Sequence, residues 1–172
     1  MSTESISGSA FEREVLTPHL DRIYAAALRM TSTEAEAESL VETTFLTALA
    51  AYRRPRPLAD PVVWLFRVFA DSYAKTRSRS GSAREIITAA PDALLHRAAL
   101  AERLDALSDD AVKDALSRIA EKLRLPLYLA EVEGLSPKQI SDALRIPLSE
   151  ARIRVHRARA LLSTVLVDRV AG

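Results

Sequence analysis

The stretch LSPKQISDALRIPLSEARIRVHRARALL, from Leu135 to Leu162, is the feature that most constrains the fold of this chain. Ser136 is followed by Pro137 and, three residues after the serine, by Gln139. This order is typical of a capping box with proline at the first helical position, where no amide hydrogen is needed. The pattern predicts a well-defined helix start at Ser136.

Two short helices joined by a tight turn are expected in this stretch. Ile140 and Leu144 give the first helix an apolar side, and the letters RIP indicate the turn. Ser149 is the expected cap of the second helix. Two apolar stripes facing each other across so short a turn are typical of a helix-turn-helix.

The second helix combines an apolar face with a row of arginines. A step of about 100° per residue places five residues on the buried face: Ala151, Val155, Ala158, Leu162 and Val165. The outer face receives Arg152, Ile153, His156, Arg157 and Ser163, with Arg159 at its edge. Arginine binds guanine or phosphate, and an exposed isoleucine can contact a thymine methyl. DNA binding in the major groove is therefore predicted; a solvated basic face is the alternative interpretation.

Composition favours an all-α, intracellular protein. Hydrophobic residues make up 48% of the 172 residues, Ala, Leu, Arg and Glu dominate, and glycines number only four. Cysteine is absent, which excludes disulfides and thiolate metal sites and is typical of a reducing compartment. The sequence shows no leader and no apolar run of membrane length. We expect a soluble, cytoplasmic chain that does not contact a membrane.

The net charge of +1 hides a strong segregation of charge along the chain. Residues 32–51 contain four glutamates and no lysine or arginine, whereas residues 52–84 contain eight basic and two acidic residues. The arginines of the last helix form a second basic segment. This arrangement predicts one segment that meets a basic partner and two that meet a polyanion.

The first half of the chain predicts three helices. An apolar helical pattern starts at Phe11, and Pro18 within it marks either a kink or the true first turn. The second helix is capped by Thr31 or Thr33, and its expected buried stripe consists of Leu40, Val41, Phe45 and Leu49.

The loop RRPRPLAD separates the second helix from the third. Asp60 followed by Pro61 is a good helix start, because a carboxylate cap precedes a proline at the first position. Trp64 and Phe66 recur at helical spacing and are expected in the core. Tyr73 is the aromatic residue that we expect to face a nucleic acid base instead.

The second half begins with a linker rich in Ser, Gly and Pro, followed by a short helix around Leu94 to Leu104. Asp109 or Asp110 is expected to cap the next helix. Pro126 is expected in the first turn of another helix, which Gly134 ends. The chain is therefore predicted to be all-α, with two small helical domains joined by a flexible linker, the C-terminal one containing the helix-turn-helix.

The stretch AEVEGLSPKQISDALRIPLSEARIRVHRARALL resembles the C-terminal domain of bacterial sigma factors of the extracytoplasmic-function (ECF) group. The family pattern there is E-G-L-S, an E-I-A helix, L-G-I-P and G-T-V-x-S-R-L-x-R-A-R. AEAESLVETTFLTALAAY and PVVWLFRVFADSYAKTRSR resemble two helices of the family's N-terminal domain. The resemblance covers nearly the whole chain apart from the linker and both ends.

This resemblance implies a promoter-specificity subunit of RNA polymerase with no catalysis and no cofactor or metal of its own. It implies a region 2 domain at 11–79, a linker at 80–105 and a region 4 domain at 106–172, preceded by residues 1–10, whose small and polar composition predicts disorder. The implied partners are promoter DNA, the clamp helices of the largest polymerase subunit, the flap of the second-largest subunit and an anti-sigma factor.

The resemblance also implies three sets of binding residues. The residues expected to bind core polymerase are Glu38, Ser39, Val41, Glu42, Phe45 and Leu46. Those expected to recognise and melt the −10 element are Arg53, Arg54, Arg56, Asp60, Arg67, Tyr73, Lys75 and Arg77. Those expected to read the −35 element are Ser149, Glu150, Arg152, Ile153, Arg154, His156, Arg157 and Arg159.

The chain departs from the family pattern at positions that bear on binding. Ser39, Thr43 and Thr47 replace residues that are usually charged, and Asp60 replaces an asparagine of the −10 loop. In the C-terminal domain, Arg145 stands at the turn glycine, Ser149-Glu150-Ala151 replaces Gly-Thr-Val, and Ile153 replaces a serine. These departures predict an altered promoter preference.

Two other functions remain open at this point: a stand-alone helix-turn-helix regulator and a degenerate sigma-like protein-interaction module. The first leaves the acidic helix and the basic loop without a role, and the second is favoured by the changes at Ser39, Thr43 and Thr47. An enzyme is the weakest alternative, because His19, His96 and His156 are widely spaced and no nucleophile–base arrangement is evident.

Overall fold

The computed structural model of the chain describes residues 10–52, 59–80 and 108–170. Every regular element in these ranges is helical, and the all-α prediction is confirmed. The chain divides into two compact units between Ser82 and Ala83. The predicted disordered N-terminus, the loop arginines Arg53, Arg54 and Arg56, and the linker with its short helix lie outside the described residues.

The N-terminal unit begins with an irregular helical segment. Glu12–Leu16 forms a π-helical turn and Thr17–His19 a 3-10 turn, and helix α1 then spans Leu20–Met30. Pro18 lacks an amide hydrogen and cannot continue an α-helical ladder. The prediction left a kink or a first turn open, and the structure places Pro18 in a separate short turn before α1.

Helix α2 spans Glu34–Ala51 and starts with a capping box. The Glu36 amide donates to Thr33 Oγ1 at 3.2 Å, and the Thr33 amide donates to Glu36 Oε2 at 3.2 Å. Of the two predicted caps, Thr33 is therefore the cap, whereas Thr31 ends α1. The predicted stripe is only partly right, since Phe45 and Leu49 are half-buried. The buried side consists of Ala37, Leu40, Val41, Thr44 and Ala48.

Helix α3 spans Pro61–Ser80. The Val63 amide donates to Asp60 Oδ1 at 3.1 Å, which confirms Asp60 as the cap. Phe66 and Phe69 are almost fully buried, and α2 packs against both α1 and α3. The core of this unit is therefore built around the aromatic side of α3.

The C-terminal unit contains four helices among the residues described. They are α4 (Asp109–Ser117), α5 (Glu121–Glu131), α6 (Pro137–Leu144) and α7 (Leu148–Val170). Helix α7 packs against each of the other three. One hydrophobic cluster joins α4, α5 and the second half of α7, and its large members are Leu116, Ile119, Leu123, Leu127, Leu161, Leu162, Val165 and Leu166.

Two predicted helix starts in this unit are wrong. The cap of α4 is Ser108, whose Oγ accepts from the Ala111 amide at 3.3 Å. Ser108 has the extended backbone that a cap requires, so Asp109 already belongs to the helix. Pro126 lies inside α5 instead of in its first turn. Its missing amide would have bonded the carbonyl of Lys122, an exposed residue that water can reach.

Gly134 follows the end of α5 with a φ of 66°, as the predicted glycine stop requires. The Leu135 amide donates to the Leu129 carbonyl at 2.9 Å and closes the turn. In the described ranges we find no helix whose length and hydrophobicity would let it span a membrane.

Candidate functional site

The first helix of the predicted helix-turn-helix is α6, and its start is as predicted. The Gln139 amide donates to Ser136 Oγ at 3.2 Å, and the Ser136 amide donates to Gln139 Oε1 at 2.9 Å. Pro137 occupies the first helical position. Ile140 is fully buried, so the short helix is fixed at its start and along its apolar side.

The turn between α6 and α7 contains one residue with a left-handed backbone conformation. Arg145 has φ 53° and ψ 42°, a conformation that costs a non-glycine residue about 1 kcal/mol. Ser141 Oγ donates to the Ile146 carbonyl at 2.7 Å and stabilises the turn. The Ala151 amide donates to the Pro147 carbonyl at 3.0 Å, so α7 starts before Ser149. The prediction that Ser149 caps α7 is therefore wrong.

Helix α7 presents the predicted faces over its first half. All five residues of the predicted buried face are at most 6% exposed. On the other side, Arg152, His156 and Arg157 are exposed, and Ile153 is 46% exposed. Ser163 was expected on this outer face but is 2% exposed, because α4 and α5 cover a wider arc of α7 near its end.

Two of the four arginines in the first half of α7 form ion pairs within the protein. Arg154 Nε donates to Glu150 Oε1 at 2.7 Å. Arg159 Nε and Nη2 both donate to Glu131 Oε1, at 2.7 and 2.6 Å. The Glu131 side chain is only 8% exposed, so Arg159 is turned toward α5. Arg159 keeps 29% of its side chain exposed, and its expected place in the DNA-reading set stays a prediction.

The Glu150 carboxylate lies in a positive environment. The hydrogen bond from Arg154 lowers the pKa of Glu150, and the charges of Arg154, Arg157 and Lys122 act in the same direction, against a smaller effect of burial. Glu150 is therefore ionised at neutral pH. Its charge offsets part of the positive charge on this edge of α7.

The predicted polymerase-binding residues do not all share one face of α2. Glu38, Ser39 and Glu42 are exposed, and Leu46 is 60% exposed, which is unusual for a large apolar side chain. Val41 is 9% exposed and belongs to the buried side. Val41 therefore lies in the buried stripe next to Leu40, as its spacing predicted, and its expected contact with core polymerase stays a prediction.

Tyr73 is not available as a stacking platform for a base. It is 5% exposed, its hydroxyl donates to the Met30 carbonyl at 3.1 Å, and its ring stacks on Phe69. Tyr73 follows Phe69 by one helical turn and therefore joins the buried row. Phe66 lies in the core as predicted, whereas Trp64 is only half-buried.

A second aromatic cluster in this unit was not predicted. The Phe11 ring stacks on Tyr52 with centroids 3.6 Å apart and forms a T-shaped pair with Trp64 with centroids 5.7 Å apart. These rings come from the irregular N-terminal segment and from both sides of the basic loop. No local sequence pattern indicates such a long-range contact.

A family model described as "Sigma-70, region 4" matches residues 109–162, from the start of α4 into α7. The ECF RNA polymerase sigma factor SigE of Mycolicibacterium smegmatis is 26% identical over 164 residues. That match covers 89% of this chain and 60% of SigE, which is less than two thirds of its length. The RNA polymerase sigma factor CarQ of Myxococcus xanthus is 28% identical over 164 residues, with 91% of this chain and 89% of CarQ covered.

The fold is similar to that of the sigma factor RpoE from Bartonella quintana, solved in complex with the anti-sigma factor NepR. The TM-score is 0.69 at 23% identity, and the match covers 91% of this chain and 96% of RpoE. The chain is therefore similar to the ECF sigma-factor family along most of its length. Members of this family are not enzymes; they serve promoter-specific transcription initiation.

The region 4 match covers α6 and the part of α7 that ends at Leu162. Within it, Glu131 is the residue that the sequence reasoning missed. It lies 28 residues before Arg159, and neither helical period nor capping pattern links two positions so far apart. The pair forms because α5 and α7 pack against each other.

Proposed function

We propose that this chain is an ECF sigma factor, which binds core RNA polymerase in the cytoplasm and directs it to promoters by recognising −10 and −35 elements. The observation that carries the proposal is the exposed face of α7, where Arg152, Ile153, His156 and Arg157 project from a rigid helix-turn-helix. Recognition helices of this motif read bases in the major groove. The proposed function needs no enzymatic step and no cofactor.

The α7 face suits an upstream promoter element. Exposed arginines can donate to guanine or to phosphate, and Ile153 can contact a thymine methyl. Arg152 and Arg157 form no hydrogen bond or ion pair with another described residue. Ser149, Glu150, Arg154 and Arg159 complete the proposed −35 set.

The exposed face of α2 suits a basic partner with an apolar pocket. Glu38 and Glu42 supply negative charge, and Ser39 lies between them on the exposed side. Leu46 provides an exposed apolar anchor one turn after Glu42, with Phe45 half-buried beside it. Exposed apolar side chains rimmed by charge are typical of protein interfaces. We assign this face to the clamp helices of the largest polymerase subunit, and the C-terminal unit to the flap of the second-largest one.

The −10 element is assigned to α3 and the loop before it. Lys75 is exposed, and Arg67 and Arg77 are partly exposed on the same helix. Asp60 caps α3 and is held at the end of the loop, where its carboxylate can accept hydrogen bonds from a base but cannot donate them. Arg53, Arg54 and Arg56 complete the proposed set by sequence alone.

An anti-sigma factor is a proposed further partner, since RpoE was solved with NepR and has a similar fold. Such a partner would cover the α2 face, the α7 face or both. Competition between the partner and core polymerase would then control activity.

The α2 assignment can be tested by measuring the affinity of the full-length chain for purified core polymerase. Leu46→Ser should weaken binding about fivefold or more, because an exposed apolar anchor is lost from the interface. Leu20→Ser is the matched control, since Leu20 is 44% exposed on α1 and outside the proposed surface. Equal binding by both variants would reject the α2 surface, and no binding by the unaltered chain would reject the proposed function.

A further inference from the structure

Glu150 places a carboxylate in the first turn of a helix whose exposed face is otherwise basic. A carboxylate that approaches DNA is repelled by phosphate unless it finds a hydrogen-bond donor. In this chain the carboxylate is held in place, because Arg154 Nε donates to Glu150 Oε1 at 2.7 Å. Both side chains remain partly exposed, at 41% for Glu150 and 27% for Arg154.

The geometry of this pair leaves its outer atoms available to a ligand. The contact uses Nε of Arg154 and one oxygen of Glu150. Within the described parts of the chain, the two terminal nitrogens of Arg154 and Oε2 of Glu150 form no other hydrogen bond. The pair therefore presents one acceptor, Glu150 Oε2, beside the two donor nitrogens of the Arg154 guanidinium. The two residues lie one helical turn apart in the sequence.

The major-groove edge of a C·G base pair carries the complementary groups. Cytosine offers the N4 amino donor, and its guanine partner offers the N7 and O6 acceptors. An adenine amino group could also donate to the carboxylate, but the paired thymine offers arginine only one acceptor. A thymine facing Glu150 would bring its O4 acceptor against the carboxylate and would be disfavoured.

We propose that the Glu150–Arg154 pair reads one C·G base pair of the upstream promoter element. Glu150 Oε2 accepts from cytosine N4, and the terminal nitrogens of Arg154 donate to the paired guanine. The first turns of a recognition helix are the part that contacts base edges, which is where this pair lies. The inference rests on the proposed function and specifies the base pair that two of its residues select.

The test is transcription by core polymerase and the full-length chain from a promoter library randomised across the upstream element. The unaltered chain should enrich C·G over T·A at one position on the order of tenfold. Glu150→Gln should shift that position toward adenine, because a glutamine amide pairs with the adenine edge. Arg154→Ala should lose the preference at the same position, while the other positions keep theirs.

Asp142→Asn is the matched control. It removes an ion pair of the same spacing, in which Lys138 Nζ lies 2.7 Å from Asp142 Oδ1, from helix α6. It should leave the selected element unchanged at every position.

Three results would overturn the inference while leaving the proposed function intact. They are the absence of an enriched C·G pair, an unchanged profile in Glu150→Gln, and a uniform change in Glu150→Gln at all positions. The last would mean that Glu150 only repels phosphate. Absence of transcription with the unaltered chain would instead reject the proposed function itself.

Discussion

The acidic face of α2 and the basic face of α7 use their charges in different ways. On α2, Glu36 caps the helix through the Thr33 and Ser32 amides, and Glu34 accepts from the Tyr24 hydroxyl. Glu38 and Glu42 form no hydrogen bond or ion pair with another described residue. The glutamates with structural roles therefore lie before Glu38 and Glu42, whose carboxylates are available to a partner.

On α7, arginines that are paired within the protein alternate with arginines that are available to a partner. Arg154 and Arg159 form ion pairs with Glu150 and Glu131, whereas Arg152 and Arg157 form none with another described residue. A count of charged residues in the sequence therefore overestimates the charge that each face offers to a partner. On α2 the engaged glutamates bond residues at most ten positions away, whereas on α7 one partner lies 28 residues away. The Glu131 pair joins two helices and depends on how they pack.

The largest expected effect comes from breaking the pair that joins α5 and α7. Glu131→Ala leaves the Arg159 charge poorly solvated and should lower the free energy of unfolding of the C-terminal unit by about 2 kcal/mol. This loss is smaller than the ~3–5 kcal/mol that breaking a fully buried pair typically costs, because the Arg159 side chain is 29% exposed to solvent. Chemical denaturation followed by circular dichroism measures it.

Asp114→Ala is the control for this prediction. It removes the Arg118–Asp114 pair, whose side chains are 48% and 42% exposed, and should cost under about 1 kcal/mol. Equal losses in both variants would mean that Arg159 and Glu131 behave as an ordinary surface pair.

The second effect separates the arginines of α7 by function. Arg157→Ala should weaken promoter binding by polymerase holoenzyme by about 1.5 kcal/mol, roughly tenfold in Kd. If Arg157 contacts a phosphate, the slope of log Kd against the logarithm of salt concentration should also decrease by about one. The stability of the C-terminal unit should not change. A loss of stability instead of affinity would place Arg157 with Arg159.

The third effect concerns α2. Glu42→Lys should weaken binding to core polymerase by about 1 kcal/mol at low salt, and less at high salt, because the contact is electrostatic. Glu36→Gln removes one charge near the start of the same helix but retains a capping-box residue, so it should bind normally. If both variants weaken binding equally, the overall charge of α2 matters and its exposed face does not.

The smallest effect is a pH dependence at Glu150. Its pKa is lowered in the folded protein from an ordinary value of 4.5, chiefly by the hydrogen bond from Arg154. A lowered folded-state pKa adds stability above the unfolded-state pKa, and this is lost as pH falls through the folded value. Glu150→Gln should therefore flatten the stability profile below about pH 4.5. Identical acid profiles for the two proteins would show that the ion pair does not persist in solution.

The elements predicted well from the sequence are those specified by neighbouring residues. The Ser136 capping box, the Asp60 cap, the glycine stop at Gly134 and the buried row from Ala151 all depend on contacts within a turn or two. Helical periodicity and capping chemistry determine such features locally.

The predictions were wrong or incomplete where packing between helices determines the surroundings of a side chain. Tyr73 was expected at the surface but is buried between α1 and the aromatic row of α3. Ser163 is covered because other helices widen the buried arc of α7. Arg159 fits the basic row by spacing, yet its partner comes from α5. None of these contacts leaves a signal in the adjacent residues.

The most direct test of the proposed function is transcription in vitro. The purified chain would be added to bacterial core polymerase over a library of genomic fragments, and start sites would be mapped by sequencing. We predict discrete starts that share sequence elements near −10 and −35. An absence of starts, with folded protein and a polymerase that responds to a control sigma factor, would contradict the assignment of this chain as a promoter-specificity subunit.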